Sequence, residues 1–366
     1  MGKRIKSDPD CLTRHVGAEL LRQAPHAWLW KGRDVKIVDG TTASMPDTPD
    51  NQAAWPQPTH ERPGLGFPLA RLVVVFSLAV GTVLDAALGP CTGKETGETA
   101  LFRSVHDHLN PGDVVLSDRY FCSYFEIALL QQQHIDVVMR LHQRRPVDFR
   151  CGRRLGKDDH IVVWKKPKRP DWMDEATYQQ VPDTLEVRQV RLRVEQEGFR
   201  TKTIVVATTL RRLEEVRRLD LTDLYRQRWH AELDLRSLKE TMQMDILRGK
   251  TPAMVRKEIW AHFLAYNLIR TAMAQAAREH QVLPRELSFK AALQTLLAFA
   301  PHVVAVPPNE LPALAQRIRA ALAQHRVGDR PDRYEPRARK RRYDNFQHLL
   351  IPRAEAKARL REGTYE

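Results

Sequence analysis

Between positions 225 and 239 the sequence YRQRWHAELDLRSLK sets Tyr225, Arg228, Glu232 and Lys239 at successive intervals of three, four and seven residues. On a helix, at about 100° per residue, these four side chains fall within roughly 60° of one another. The stretch from Leu221 to Met242 contains neither Gly nor Pro, and Thr222 or Asp220 can cap its start. It reads as one helix of about six turns. Leu224, Ala231, Leu235, Leu238 and Met242 form an apolar stripe beside the polar four. One carboxylate therefore sits at the edge of a buried helix, between two cations and a phenol. That suits an anionic ligand held next to a carboxylate-bound metal. The same spacing also builds solvated ion pairs on an ordinary amphipathic helix, so the helix alone does not decide.

Two acids upstream do more. VKIVD places Asp39 at the end of one run of β-branched residues, and DVVLSD places Asp118 at the end of another. If the two strands are neighbours, their C-terminal ends bring both acids to the place where open α/β sheets hold ligands. Three carboxylates at one point repel unless a divalent cation neutralises them. Oxygen-only donors suit Mg²⁺, with Mn²⁺ as a substitute. Two such ions activate a water or a 3′-hydroxyl and stabilise the leaving oxygen of a phosphodiester. Arg228 and Lys239 would then hold phosphates, and Tyr225 could donate to a phosphate oxygen or pack on a sugar or base. Asp47 and Asp50 are rival acids, ranked lower because loop acids are more often turn formers. His106, His108, His142 and His160 have no metal-ligand spacing, and no Ser or Cys has a partner pattern for covalent catalysis.

The elements that must position these residues follow from pattern. Residues 1–34 give one short amphipathic helix, roughly 11–22. The first strand is 35–44, ending its run near Asp39, and 44–58 is rich in turn formers and reads as an irregular loop. Residues 62–90 read as a hairpin turning near Ala79 to Gly81. A helix over 94–109, a strand at 114–118, a helix at 123–133 and a strand at 135–141 follow. This order predicts a three-stranded meander continued by right-handed crossovers. From 143 to 202 the chain is polar and basic with short strands, a β-rich insertion. Its pattern slips phase between Val187 and Val190, which suggests a bulge. Trp164 and Trp172 in it could stack on bases, with packing the more common role. A buried strand at 203–210 returns to the main sheet. Thr251-Pro252 opens a long buried helix, and two helices over 288–300 and 309–325 follow. The tail from Gly328, with RARKRR at 337–342, reads as unstructured or DNA-held.

The chain has 59 Lys and Arg against 45 Asp and Glu, a formal charge of +14. An excess of that size attracts polyanions, nucleic acid first among them. Four cysteines fit neither a zinc pattern nor a disulfide framework, so a reducing cytoplasm is expected. No apolar run reaches the roughly 18 residues of a membrane helix, and no signal peptide opens the chain.

The order Tyr225, Arg228, Glu232, Lys239 matches Y-x2-R-x3-E-x6-K, and in this it resembles the YREK signature of the insertion sequence four family of bacterial DDE transposases. VDGTTASMPDTPDNQ around Asp39 and LSDRYFCSY around Asp118 resemble the first and second aspartate regions of that family. The resemblance covers roughly 28–300. It implies an α/β fold: an RNase H-like core of mixed sheet with helices on both faces, over 35–142 and 203–300. The β-rich insertion at 143–202 interrupts it, and a helical C-terminal region with the basic tail follows at 301–366. It implies Asp39, Asp118 and Glu232 as catalytic metal ligands, with Tyr225, Arg228 and Lys239 gripping DNA near the cut end, a hairpin intermediate included. The implied reaction is hydrolytic nicking at the element's ends, then attack of the 3′-hydroxyl on target DNA. The implied partners are double-stranded DNA and a second copy of the chain, in the nucleoid of a bacterial cytoplasm. Similar transposases carry a longer helical region before the first aspartate, whereas 38 residues precede Asp39 here. The expectation is therefore a catalytic centre without its end-binding region. The rival readings are a DNA-binding remnant that does not cut and a nuclease of the same fold with another substrate.

Overall fold

The computed structural model describes residues 8–193, 203–328 and 348–363. Its frame is one sheet of nine strands in the order β3-β2-β1-β4-β5-β9-β8-β7-β6. β1 (Val35–Ser44), β2 (Leu69–Ser77) and β3 (Val83–Pro90) form the antiparallel meander, with the turn at Gly81 where φ is +79°. β4 (Val114–Ser117) and β5 (Asp136–Arg140) lie parallel to β1. The first five strands therefore take the order 3-2-1-4-5 of an RNase H-like core, in a mixed α/β fold.

Helices cover both faces. α1 (Pro9–Arg22) precedes the sheet, and α2 (Pro49–Ala54) lies in the segment after β1 that was expected to be irregular; Thr48 caps it by accepting from the Asn51 N–H. The helix expected over 94–109 is shorter. α3 (Glu98–Arg103) gives way to a single 3-10 turn at His106–His108. α4 (Tyr124–Gln132), capped by Ser123, joins β4 to β5. In the strands, Val38, Val115, Val137 and Met139 pack on the face of α3 and α4 with Phe102, Phe121 and Ile127. Ile37, Leu116 and Val138 pack on the opposite face, into a core with Leu221, Leu224 and Phe263.

β6 (Arg153–Gly156), β7 (Asp159–Lys165), α5 (Glu175–Gln180) and β8 (Thr184–Arg193) come from the β-rich stretch. They continue the main sheet, because β8 pairs with β9 (Thr203–Thr208), which pairs antiparallel with β5. The expected bulge near Val187 is absent, since β7 and β8 pair in unbroken register from Asp159↔Val190 to Lys165↔Thr184. The phase slips because Arg188 is itself buried. Its guanidinium forks onto Asp159 at 2.9 and 2.7 Å and donates to the Val216 and Leu210 carbonyls. Trp164 and Trp172 pack against Arg145 and Arg103, each 3.7 Å from ring centroid to guanidinium carbon.

The stretch read as a single helix from Leu221 to Met242 is α6 (Arg218–Gln227), α7 (Trp229–Arg236) and a π-helical turn at Ser237–Thr241. The chain tightens at Arg228, where the Arg228 N–H reaches the Tyr225 carbonyl and the Ala231 N–H reaches that of Arg228. Asp220 caps the start by accepting from the Arg217 N–H at 2.7 Å. Past the π turn the chain is hooked to the far end of β1: Ser44 N–H donates to the Asp245 carbonyl at 3.0 Å, and Leu247 N–H to the Ser44 carbonyl at 2.8 Å.

α8 (Pro252–Glu279), capped by Thr251, runs through the core. Its buried Asn267 binds the Val83 N–H and carbonyl at 2.8 Å and the Thr13 carbonyl at 3.0 Å, riveting α1 and β3 to it. α9 (Phe289–Ala305) and α10 (Leu311–Gln324) pack on α8, and α11 (Arg353–Arg361) lies within the tail that was expected to be unstructured. RARKRR lies outside the described residues.

Candidate active site

Register explains how the first two acids meet. Val38 of β1 pairs with Ser117 of β4, and Ser117 pairs with Met139 of β5. The next residues along the three parallel strands are Asp39, Asp118 and Arg140, so they form one row. Each lies two positions beyond Ile37, Leu116 and Val138, and so shares their face, the one that α6 and α7 cover. Asp39 is not at the end of β1, as expected from sequence. β1 runs on to Ser44 paired only with β2, and Asp39 marks the point where its β4 partner stops.

The helices deliver the rest. Tyr225 at the end of α6 is 9% exposed and packs in the same core. Arg228 at the break donates from Nη2 to Glu232 Oε1 at 2.6 Å, and its Nη1 lies 3.6 Å from Asp39 Oδ2. It thereby spans the first and third acids. The Asp39 side chain is 18% exposed and that of Glu232 40%. Asp39 Oδ1 accepts from the Gly40 N–H at 2.9 Å, and Asp118 Oδ1 from the Tyr120 N–H at 2.8 Å. Lys239 sits half-buried in the π turn, one element beyond Glu232.

The electrostatics record the convergence. Burial pushes Asp39 up to about 6; Arg228 and the Gly40 N–H oppose this, while the charges of Asp118 and Glu232 add to it. Burial pushes Tyr225 up to about 12 against the pull of Arg228 and Arg140, so the phenol keeps its proton. For Arg228, burial works against the charge, but Tyr225, Glu232 and Asp39 more than offset it and raise the guanidinium.

Among the described residues, no three acid, His or Cys side chains close tightly enough round one point to enclose an ion. Arg228 lies between Asp39 and Glu232. The donor set nonetheless fits a hard divalent cation, since it offers only carboxylate oxygens, and Asp39 holds a charge that its burial disfavours. The rival acids are occupied elsewhere: Asp47 accepts from Gln52, and Asp50 lies in the first turn of α2. His106 pairs with buried Glu126 at 2.7 Å, and His160 is held by the Cys151 carbonyl and Gln189.

Two charged residues outside the expected set, Glu98 and Arg140, stand beside the acids, and a third, Asp234, holds the helix that carries one of them. Glu98 of α3 lays its carboxyl over Gly40, in space that a Cβ there would take, and burial and the Asp118 charge raise it. Nothing in the sequence around Glu98 signals this. Arg140 could have been found, because it ends its strand as Asp118 ends its own. Asp234, two residues past Glu232, is fully buried and clamped by Arg285 at 2.7 and 2.6 Å and by Arg270 at 2.5 Å. It fixes α7 from the side opposite the site.

The chain is 27% identical over 329 residues to the transposase InsG for insertion sequence element IS4 of Escherichia coli (strain K12), covering 87% of this chain and 69% of that protein. A piggyBac transposase synaptic complex with hairpin DNA matches 79% of this chain with TM-score 0.43 and 8% identity. This chain spans 57% of the length of that solved chain. The family model described as the transposase DDE domain matches residues 30–268, so the chain belongs to the transposase DDE domain family.

Proposed function

We propose that this chain cleaves the ends of an insertion-sequence DNA and joins the freed 3′-hydroxyl to target DNA. The observation that carries the reading is the row of Asp39 and Asp118 facing Arg228 and Glu232, with one guanidinium in reach of the first and third acids. Asp39, Asp118 and Glu232 would hold Mg²⁺ or Mn²⁺, which when bound activates the attacking oxygen and offsets charge on the leaving one. Arg228 has two tasks. It keeps the acids together, and its fork can turn to a phosphate once their charge is otherwise neutralised. Tyr225 keeps its proton at neutral pH and so can donate to a phosphate oxygen. Lys239 brings a third cationic or donor group from the π turn to the same strand of DNA.

The enzyme would act on double-stranded DNA as a homodimer across paired ends, in the nucleoid of the bacterial cytoplasm. No helix among the described residues is long and apolar enough to cross a membrane. The test is a labelled duplex carrying the repeats that flank the gene, incubated with Mg²⁺. The wild type is expected to nick it at the repeat boundary, and Glu232→Gln to bind it but not cut. Cutting without regard to the repeat would favour a general nuclease; binding without cutting by the wild type would leave a DNA-binding remnant.

A further inference from the structure

The row that brings Asp39 and Asp118 together has a third member. Arg140 follows Met139, which pairs with Ser117, so it lies beside Asp118 on the face that carries the acids. It is the last residue of β5, half-buried, and next to it β9 closes the sheet through the pair Arg140↔Val206. A guanidinium in such a place usually has a carboxylate or carbonyl to receive its N–H groups. Among the described residues, the Arg140 side chain forms no hydrogen bond or ion pair. The charges that act on it are those of two cations, Arg119, which donates to Gln143, and Arg228, together with Tyr225 and its row neighbour Asp118. Burial and then the charge of Arg119 lower its pKa, and Tyr225, Arg228 and Asp118 act on it more weakly.

An arginine in the field of two other arginines, half out of water and with its donors unspent, suits an anion that comes from outside. We propose that Arg140, flanked by Arg119, binds a phosphodiester of the DNA strand on the β5 side of Asp118, separate from the grip of Arg228 and Lys239. The inference rests on the DNA-cleaving reading of the site. It adds a phosphate contact on the opposite side of the second acid from Asp39, so the strand would be held on both flanks of the reacting centre. The position also restricts what lies there. The parallel pairing of the strands ends at this row, and a planar fork can engage two oxygens of one phosphate.

The test is the salt dependence of DNA affinity, read by fluorescence anisotropy with a labelled duplex of about 30 base pairs and no divalent ion. Removing one phosphate-binding cation reduces the slope of log K against log salt by about 0.9. Arg140→Gln is expected to reduce the slope by about that amount, Arg140→Lys to keep most of it, and the remote, exposed Arg317→Gln to leave it unchanged. Thermal melting checks that each variant is folded. Arg140→Met, which suits a half-buried stem, takes the place of Arg140→Gln if that variant does not melt cooperatively. A wild-type slope in the neutral Arg140 variant, while Lys239→Gln reduces it, ends this proposal and leaves the reading of the site intact. A wild type that binds no duplex ends both.

Discussion

Asp39 is charged at neutral pH in a place that disfavours charge, and this has a measurable sign. Its value in the folded chain, about 6, lies above the ordinary 3.8. The folded state therefore holds the proton more tightly. Its contribution to stability is complete below about pH 3.8 and lost as pH rises through about 6. The penalty at neutral pH is on the order of 3 kcal/mol. Asp39→Asn should accordingly melt above the wild type at pH 7.5 in the absence of divalent ions, and the gap should close below pH 4. Equal melting temperatures at pH 7.5 would show that the carboxylate is not under strain. The places of these three acids in the fold were legible because each closes a recognisable pattern: a β-branched run for Asp39 and Asp118, a helical face for Glu232. Glu98 was not, because its place depends on which glycine lies next to it, and no local pattern encodes that.

At the scale of elements, the sequence between Leu221 and Met242 reads as one unbroken helix because nothing in its composition stops one. The structure tightens it at Arg228 and widens it at Ser237, and side chains near both departures are held by distant parts of the chain. Arg228 is drawn toward Asp39, and Asp234 is drawn the other way by two arginines. That second pull predicts the cost of losing it. Asp234→Asn leaves Arg270 and Arg285 buried without their counter-charge, and should destabilise the chain by roughly 3–5 kcal/mol in urea unfolding. A loss below 1 kcal/mol would mean that the clamp does not hold α7. The bulge expected near Val187 failed for a related reason. Alternation was read as apolar against polar, but Arg188 is buried with Asp159, so a charged residue occupies a core position and the strand stays regular.

For the whole molecule, the meander and its continuation by crossovers followed from chain adjacency and handedness, which are general rules, while the pairing of β4 with β1 entered only as a condition that the structure meets. The return of β9 to that sheet was read as well, but the joining of β6 to β8 onto it was not, because the pairing of β8 with β9 leaves no mark in the sequence. The layer of α1 and α8 over β3 depends on close backbone approach at Gly17, where a Cβ would collide with the Val83 carbonyl oxygen and crowd Asn267. Gly17→Ala should therefore cost about 1–3 kcal/mol despite the better helix propensity of alanine. Denaturant melts measure this, and hydrogen exchange should show α1 losing protection ahead of the central strands. A neutral or stabilising effect would indicate that α1 can lift from the sheet without penalty.

The hook between Ser44 and the chain at Asp245 and Leu247 ties the strand of one acid to the exit of the helix bearing another. Two acids far apart in sequence thus belong to a closed loop of backbone, fastened on one side by the sheet and on the other by these two bonds. The entropy of gathering them is settled when the chain folds. An arriving substrate has only side-chain torsions left to set.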